Sequence, residues 1–574
     1  MRVAQDIILD IKHLDDKVSI SGQITTTDLE ELKRLGVETI ISNRPNNEEA
    51  GQVDFATLYS AASVLRMSAV HIPFVEYEMT AHDVDQLVNF LKKGQRVHLF
   101  CRTGQRSSVL WAMSAFMRGF KEAAIIQHVG DAGYKLSAEK LEQLISTQID
   151  HQGISTTLGS SQRPGIDHYD VVVVGGGSGG LSTCASLRKR DKNLRIAVIE
   201  PSSEVYYQPG WTMVGGGIFT ARQTRRHIKN LLTDGVTWIQ YSVEKVLPER
   251  NLVQLNNDLY IHYQQLVMAP GLELYWDGIE GLRQSLGANG VTSNYRFDLA
   301  PYTWELVQNL GQGKAVFTQP PMPIKCAGAP QKAMYLSADH WYRNNMLANI
   351  DVSFYSSGDV IFGVKDYVPA LNEYIEKYQI DLNFKHTLVK VDGPKQIASF
   401  SAIDEQGNTN IVETTFDMLH VCPPQRAPEF IRTSELADEN GWLDVDQYSL
   451  EHRRFANVWG VGDVINAPNA KTLAALRKQV PVVADNLILA LKGQPPKAAY
   501  SGYGSCPLTV ERGKIVLAEF VYGGKHSPTF PQWLNNGRQA TKFAWFIKAK
   551  VLPFVYWRQM LKGIEWFTKP DKLE

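Results

Sequence analysis

Cysteine is scarce in this chain: its 574 residues include five, Cys101, Cys184, Cys326, Cys422 and Cys506. None belongs to a Cys-x-x-Cys pair, which excludes a disulfide scaffold and the usual spacing of zinc or iron–sulfur ligands, so no metal is expected. Thiols used singly suit a reducing compartment. An excess of one charge is also missing: 59 Lys and Arg face 60 Asp and Glu, a net charge of -1. No global electrostatic reason to bind nucleic acid follows from that balance. No run reaches the ~18 apolar residues that a spanning helix needs, because the most apolar late stretch, residues 543–557, is cut by Lys548 and Lys550. Residues 1–22 bring in Asp6, Asp10, Lys12, Asp15, Asp16 and Lys17 too early for an apolar signal core, so no export is expected. Internal repeats and low-complexity tracts are absent as well. What is present is an ordinary globular composition, 44% hydrophobic and 21% charged, enough to bury a core in several folding units.

The main break falls at residues 151–163, HQGISTTLGSSQR, a Gly-, Ser- and Thr-rich stretch that ends at Pro164. Before it, residues 38–41, 70–73 and 97–100 read as buried strands, and 83–91 and 107–117 as helices, giving a small α/β domain at 1–150. A linker is expected at 151–168, a large domain at 169–540 and a distinct tail at 541–574.

The large domain opens with an apolar strand, residues 169–174, that runs into Gly175, Gly176, Gly177, Ser178, Gly179 and Gly180 and then a helix. Gly175, Gly177 and Gly180 satisfy GxGxxG, the glycines serving a tight turn, close approach of backbone to a pyrophosphate, and close packing of helix on strand. A second apolar strand, 196–199, ends at Glu200, where a carboxylate can bind ribose hydroxyls. Much later, residues 455–463, FANVWGVGD, close a strand on Gly462 and Asp463. In flavoproteins with two dinucleotide domains such an Asp meets the ribityl chain, so the cofactor is expected to be FAD. The strand 314–318 of the middle region instead runs into Gln319, Pro320, Pro321, Met322 and Pro323. Prolines lack the amides a second pyrophosphate would need, so a nicotinamide is not the expected electron source.

Residues 200–217, EPSSEVYYQPGWTMVGGG, and 324–336, IKCAGAPQKAMYL, resemble sulfide:quinone oxidoreductase. The resemblance spans about 169–570 and includes MLHVCPP at 418–424, NGWLDVD at 440–446 and GSCPL at 504–508. It implies two Rossmann-like dinucleotide-binding domains of the flavoprotein disulfide reductase type and then an amphipathic tail, so that with the small N-terminal α/β domain, phosphatase-like by a separate resemblance, the whole chain is α/β. The FAD lobe would be 169–300 with 420–500, and 301–419 a degenerate nucleotide lobe. By the same resemblance Ser178, Gly179, Glu200, Gln208 and Val243 line the FAD, with Asp463 on its ribityl side and Lys471 nearby. Residues alone make Cys326 a buried core cysteine; the family match makes it the thiol beside the flavin that carries sulfane sulfur. Hydrogen sulfide would be oxidised there, two electrons passing through FAD to a membrane quinone.

One departure stands out. The family's second redox cysteine directly follows the Gly-Asp of the flavin motif, and this chain has Val464 there. Cys422, just before Pro423 and Pro424, is the preferred substitute and Cys184 the lesser one. Cys506 lies in a matching stretch with no redox role and is read as packing.

In residues 541–574 aromatic and aliphatic side chains alternate with seven basic residues against three acidic ones. That pattern suits the headgroup boundary of an anionic membrane surface, and the family resemblance adds that a lipid-dissolved quinone must be reached there, so a peripheral, monotopic protein on the cytoplasmic face of the membrane is expected. A pair of helices packed on the domain is the alternative.

In the small domain, the strand 97–100 leads to Cys101, Arg102, Thr103, Gly104, Gln105, Arg106 and a helix. Strand, Cys-loop-Arg and helix form an anion nest in which amides, the helix N-terminus and Arg106 act on the thiol. With ISNRP ending at Pro45, Glu48 and Glu49, and residues 130–134, this region resembles the tyrosine-phosphatase-like domain joined to beta-lactamase-like hydrolases, over about 5–145. Phosphatases place five residues between Cys and Arg; here there are four, the CRxGxR pattern of rhodaneses. A smaller cradle favours a sulfurtransferase-like thiol that accepts the sulfur, with a thiol acceptor beyond it, over a phosphatase. Two other readings stay open: an NAD(P)H-dependent quinone or disulfide reductase, and a phosphatase-like signalling module fused to a flavin redox sensor.

Overall fold

A computed structural model describes residues 9–46, 48–49, 51–74, 79, 81–92, 94–152, 167–257 and 259–573. The chain forms two compact units, Met1–Arg163 and Pro164–Glu574. Most of the expected linker, residues 153–166, lies outside the described residues.

The first unit is built on a five-stranded sheet in the order Lys12–His13, Val18–Ser21, Val97–Phe100, Thr39–Ser42, Ser68–His71. The first pair is antiparallel and the rest are parallel. Val97–Phe100 is central and wholly buried, so its end can deliver a side chain to an enclosed loop. The helix that comes next, Gln105–Met117, begins directly after Gly104, whose φ of 93° is the left-handed conformation that glycine adopts without strain. A Cβ at Gly104 would lie 2.1 Å from the Tyr134 hydroxyl, so the close approach also demands glycine. Residues 107–115 of this helix are buried on every side, and Val109, Leu110, Trp111 and Ala112 join Ile20, Ile41 and Leu99 in the core.

In the second unit the parallel strands Val236–Ile239, Ile196–Ile199, Asp167–Val174 and Tyr260–Met268 stand side by side, and Val458–Gly460 adds in parallel to Tyr260–Met268. Leu252–Leu255 and Val243–Leu247 extend the sheet antiparallel. Val171 to Val174 are buried, as a parallel strand covered on both faces requires. A second parallel sheet runs Val291–Thr292, Met418–His420, Gly313–Gln319, Ile350–Ser356, Asp381–Phe384. Its crossover helix Ala329–Arg343 packs against Gly504–Glu511, a strand of the C-terminal antiparallel sheet. Two Rossmann-like sheets and this last sheet therefore meet around the loop that precedes Ala329.

The tail is helical. Lys542–Phe546, a π-helical turn Ile547–Val551, and Leu552–Arg558 succeed one another without a break. The extra residue of a π turn re-aims the next helical segment, and here Lys548 and Tyr556 point inward. Among the described residues, no helix is long and apolar enough to cross a membrane.

Candidate functional site

The glycine turn has the close contacts its sequence implies. A Cβ on Gly175 would sit 2.4 Å from the Ala269 carbonyl oxygen, and one on Gly180 would sit 1.8 Å from the Gly175 carbonyl oxygen. Gly177 differs: a Cβ there would meet nothing within 4 Å, so open space lies before the N-terminus of helix Ser178–Arg190. A pyrophosphate fits that arrangement, close backbone and the positive end of a helix facing room for a ligand. Glu200 accepts the Gly176 amide at 2.7 Å and the Ser202 amide at 2.8 Å. Burial nevertheless raises its carboxyl above the ordinary range, against those two bonds.

Asp463, Lys471, Lys325 and Gln208 form the next part of the site. Lys471 donates to the Asp463 and Ile465 carbonyls, both at 2.7 Å, and lies 3.9 Å from the centre of the Trp442 ring. Burial pulls its ammonium down to about 8. The Asp463 carboxyl is raised by burial, with Lys325 and Lys471 opposing. Lys325 donates to Gln208 Oε1 at 2.6 Å, which ties the loop of the second sheet to the short 3₁₀ turn Gln208–Gly210. Val243 starts the strand Val243–Leu247 and packs on the same core as the glycine turn.

Cys326 sits where this loop turns. Its φ of 50° is uncommon for a residue with a Cβ, a strained conformation of the sort concentrated at functional sites. Its amide donates to the Lys471 carbonyl at 2.8 Å and its carbonyl accepts from Ala329 at 2.7 Å, which hold the turn. Lys332, one turn into the helix, donates from Nζ to Cys326 Sγ at 3.0 Å. The Cys506 thiol also bonds to Cys326. Of the two sulfurs, Cys326 is held as the thiolate: the Cys506 hydrogen bond, then Lys332 and Lys548, outweigh burial. Cys506 is pushed up correspondingly. Lys548 reaches in from the tail, donates to the Pro209 carbonyl at 3.0 Å, and is lowered to about 7 by burial and the charge of Lys332.

The sequence pattern places Cys422 nearest to Cys326 in role. Cys422 belongs to the apolar cluster on which Cys326 packs, in contact with Tyr295 and with Gln425 Nε2 at 3.7 Å, and burial pushes its thiol up to about 12. The thiol bonded to Cys326 is that of Cys506, the one read as packing. Cys184 is buried inside helix Ser178–Arg190, likewise pushed up to about 12. Val464 is fully buried in the apolar core of the first sheet. Lys548 and Cys506 do not stand out in the sequence as site residues, because only the tertiary fold brings their segments to Cys326; Lys332 lies in the same motif, one helical turn beyond it.

In the first unit, Cys101 is buried at the end of Val97–Phe100 and accepts the Gly104 amide at 3.1 Å. Arg106 donates to the Phe74 carbonyl at 3.0 Å and to Glu48 at 2.8 Å. Arg44 holds the same Glu48 at 2.6 Å and Glu49 at 2.7 Å. Arg106 is thus paired with a carboxylate that an incoming anion would have to displace.

The tail contributes contacts and exposed aromatics together. Tyr556 bonds Ser178 Oγ at 2.8 Å and the Tyr206 carbonyl at 3.1 Å. Arg190 pairs with Glu565 at 3.0 Å. Phe546, Phe554, Trp566 and Phe567 remain exposed.

The family model "Beta-lactamase hydrolase-like protein, phosphatase-like domain" matches residues 10–117, and "Pyridine nucleotide-disulphide oxidoreductase" matches 169–306. The mitochondrial sulfide:quinone oxidoreductase of Mus musculus is 37% identical over 69% of this chain and 87% of its own length. That of Dictyostelium discoideum is 40% identical over 70% of this chain and 87% of its own. The solved structure of the enzyme of that name from Aquifex aeolicus superposes with a TM-score of 0.58 at 18% identity, over 71% of this chain and 97% of the other, a likeness of fold.

Proposed function

Because the chain belongs to the sulfide:quinone oxidoreductase family, with a phosphatase-like domain at its N-terminal end, we propose that it oxidises hydrogen sulfide to sulfane sulfur at the thiol centre of Cys326 and delivers the two electrons to a membrane quinone. The observation that carries this reading is the Cys326 sulfur, bonded by Lys332 at 3.0 Å, in a strained turn tied to Gln208 and Lys471. Hydrosulfide is an anion, and Lys332, Lys548 and Lys325 surround its approach with positive charge.

FAD is the cofactor that fits. Gly175, Gly177, Ser178, Gly179 and Gly180 would hold its pyrophosphate, Glu200 its adenosine ribose, and Asp463 and Lys471 its ribityl side, with Gln208 and Val243 lining it. Bound there, FAD supplies the two-electron acceptor. The chain's own part is to hold a thiolate, attract hydrosulfide and exclude a nicotinamide, since the strand Gly313–Gln319 of the degenerate lobe (301–419) ends in Pro320 and Pro321. The FAD lobe would be 169–300 with 420–500.

Cys101 is the proposed receiver of the sulfur, as a persulfide in a four-residue cradle closed by Arg106, with a free thiol as the later acceptor. The exposed tail aromatics and their basic neighbours seat the protein peripherally on an anionic leaflet, at the cytoplasmic face.

The test is a steady-state assay of quinone reduction in detergent. Sulfide-dependent quinol formation, with no reduction by NADH or NADPH, is expected. Reduction by a nicotinamide and none by sulfide would overturn the reading, and Cys101-dependent hydrolysis of an aryl phosphate would overturn the assignment of the small domain.

A further inference from the structure

Val464 leaves the expected position of a second redox thiol filled by a buried aliphatic side chain. A lone Cys326 thiolate offers hydrosulfide no sulfur–sulfur bond to attack and stores no oxidising equivalent, so sulfide chemistry of the thiol-exchange type needs another sulfur within bonding reach.

Cys506 is that sulfur by position. It lies buried on Gly504–Glu511, paired with Ala518 of Lys514–Val521, the strand on which the helix after the Cys326 loop packs. The loop is drawn onto this strand so closely that a Cβ at Gly328 would fall 2.3 Å from Leu508 Cδ2. The Cys506 and Cys326 sulfurs act on each other's ionisation, and the Gly328 amide acts on that of Cys506. Cys506 packs in the apolar cluster of Leu508, Val510 and Ala518, and its sulfur also meets Cys326 and the Lys332 and Lys548 side chains. Cys422 finds Tyr295, Lys325 and Gln425, with Cys326 acting on it only as the last of its influences.

We propose that Cys326 and Cys506 form a reversible disulfide that serves as the oxidised state of the sulfide site, Cys506 taking the place of the missing cysteine. This pairing deepens the sulfide:quinone oxidoreductase reading and rests on it. Hydrosulfide attacks the Cys506 sulfur, the sulfur–sulfur bond breaks, and Cys326 leaves as a thiolate stabilised by Lys332. The hydrosulfide sulfur, now the outer atom of a Cys506 persulfide, is oxidised by two electrons, and the disulfide is reduced by the same two. A thiolate acceptor then takes the outer sulfur and leaves Cys506 as a thiolate. The two cysteine thiolates would then re-form their bond, giving up two electrons that a bound flavin would accept together with two protons from solvent. Cys326 is suited to the leaving role because the ammonium sits on its sulfur; Cys506 is suited to carrying the persulfide because the Gly328 amide supports it.

The experiment maps cysteine links in the full-length, flavin-loaded protein. Anaerobic, oxidised protein is alkylated, denatured without reductant, digested and read by mass spectrometry before and after one equivalent of sulfide. Expected is a peptide joining Cys326 to Cys506 that disappears with sulfide, leaving the mass of one added sulfur atom on the Cys506 peptide; this readout on the unaltered protein needs no variant to fold. Cys506→Ser should slow flavin bleaching by sulfide by about 100-fold or more, as loss of one member of a pair acting as a unit does. Alkylation of both Cys326 and Cys506 in the oxidised protein, or a link from Cys326 to Cys422, would overturn the pair even where sulfide still bleaches the flavin. A link between Cys326 and Cys506 in a protein that ignores sulfide would keep the pair and overturn its assigned substrate.

Discussion

The two units each present a cysteine in a turn ahead of a helix, with a basic residue within the first six positions after it, and they use the cation differently. At Cys101 the sulfur receives an amide from Gly104 at 3.1 Å, while Arg106 is turned to Glu48 and to the Phe74 carbonyl. At Cys326 the ammonium of Lys332 lies directly on the sulfur at 3.0 Å. A planar guanidinium held in reserve by a carboxylate is built to receive the oxygen or sulfur atoms of an incoming group. A point charge on the sulfur keeps a thiolate ready as leaving group or nucleophile. The same local plan therefore holds the cation aside from the thiol in one unit and places it on the sulfur in the other.

The largest expected effect breaks the second site. Cys326→Ser should reduce the rate of flavin reduction by sulfide at least ~1000-fold, the scale of losing a covalent centre, as read by anaerobic stopped flow. Lys332→Met sharpens the difference, because the opposite charge within ~4 Å of a thiolate is what lowers its pKa by about 1–3 units. Lys332 helps Cys506 and Lys548 hold the Cys326 thiolate below the ordinary thiol range, so removing it moves the pH profile of iodoacetamide alkylation upward and slows alkylation near neutral pH by about 10-fold or more. Alkylation of Cys101 should not follow it.

A smaller effect concerns stability and is shared by both units. His98, between Ser19 and Ser21, and His420, bonded to the Asn294 amide, are buried and held neutral down to about 3. An unfolded chain protonates such a histidine near 6.5, so the contribution is complete above that pH and declines as pH falls from 6.5 toward 3, by about 1.4 kcal/mol per unit for each. His98→Gln, which keeps a partner for the serines, should flatten this slope for the small unit, as measured by urea unfolding at pH 7 and pH 5. The smallest effect is that of Cys101→Ser, a several-fold slowing, about 1 kcal/mol or less, of turnover at low added thiol, and lost when thiol is saturating.

Legibility in the sequence declined with distance along the chain. The glycine turn, Glu200 and the Cys101 loop are each contiguous, and one strand and one helix place all their parts. Helix Gln105–Met117 begins two residues before the expected start because Gly104 already supplies the turn. The thiol centre was half legible. Cys326 stood out by its motif, which also contains Lys332, but Cys506 and Lys548 reach it through an interface with the C-terminal sheet and a π-helical turn, for which periodicity gives no sign. Cys422 looked the better partner from its neighbouring prolines; the second sheet instead seats it against Tyr295 and Gln425. In the tail, aromatic and basic residues read as one surface pattern, yet Lys548 and Tyr556 turn inward to Pro209 and Ser178 while Phe546 and Phe554 stay outside.

The most direct measurement is an anaerobic sulfide titration of the oxidised, flavin-loaded protein, monitoring flavin absorbance and then adding a soluble quinone. Bleaching by sulfide that vanishes in Cys326→Ser, with full reoxidation by quinone, is the result predicted. An unchanged flavin spectrum with sulfide, or bleaching that survives the loss of Cys326, would contradict it.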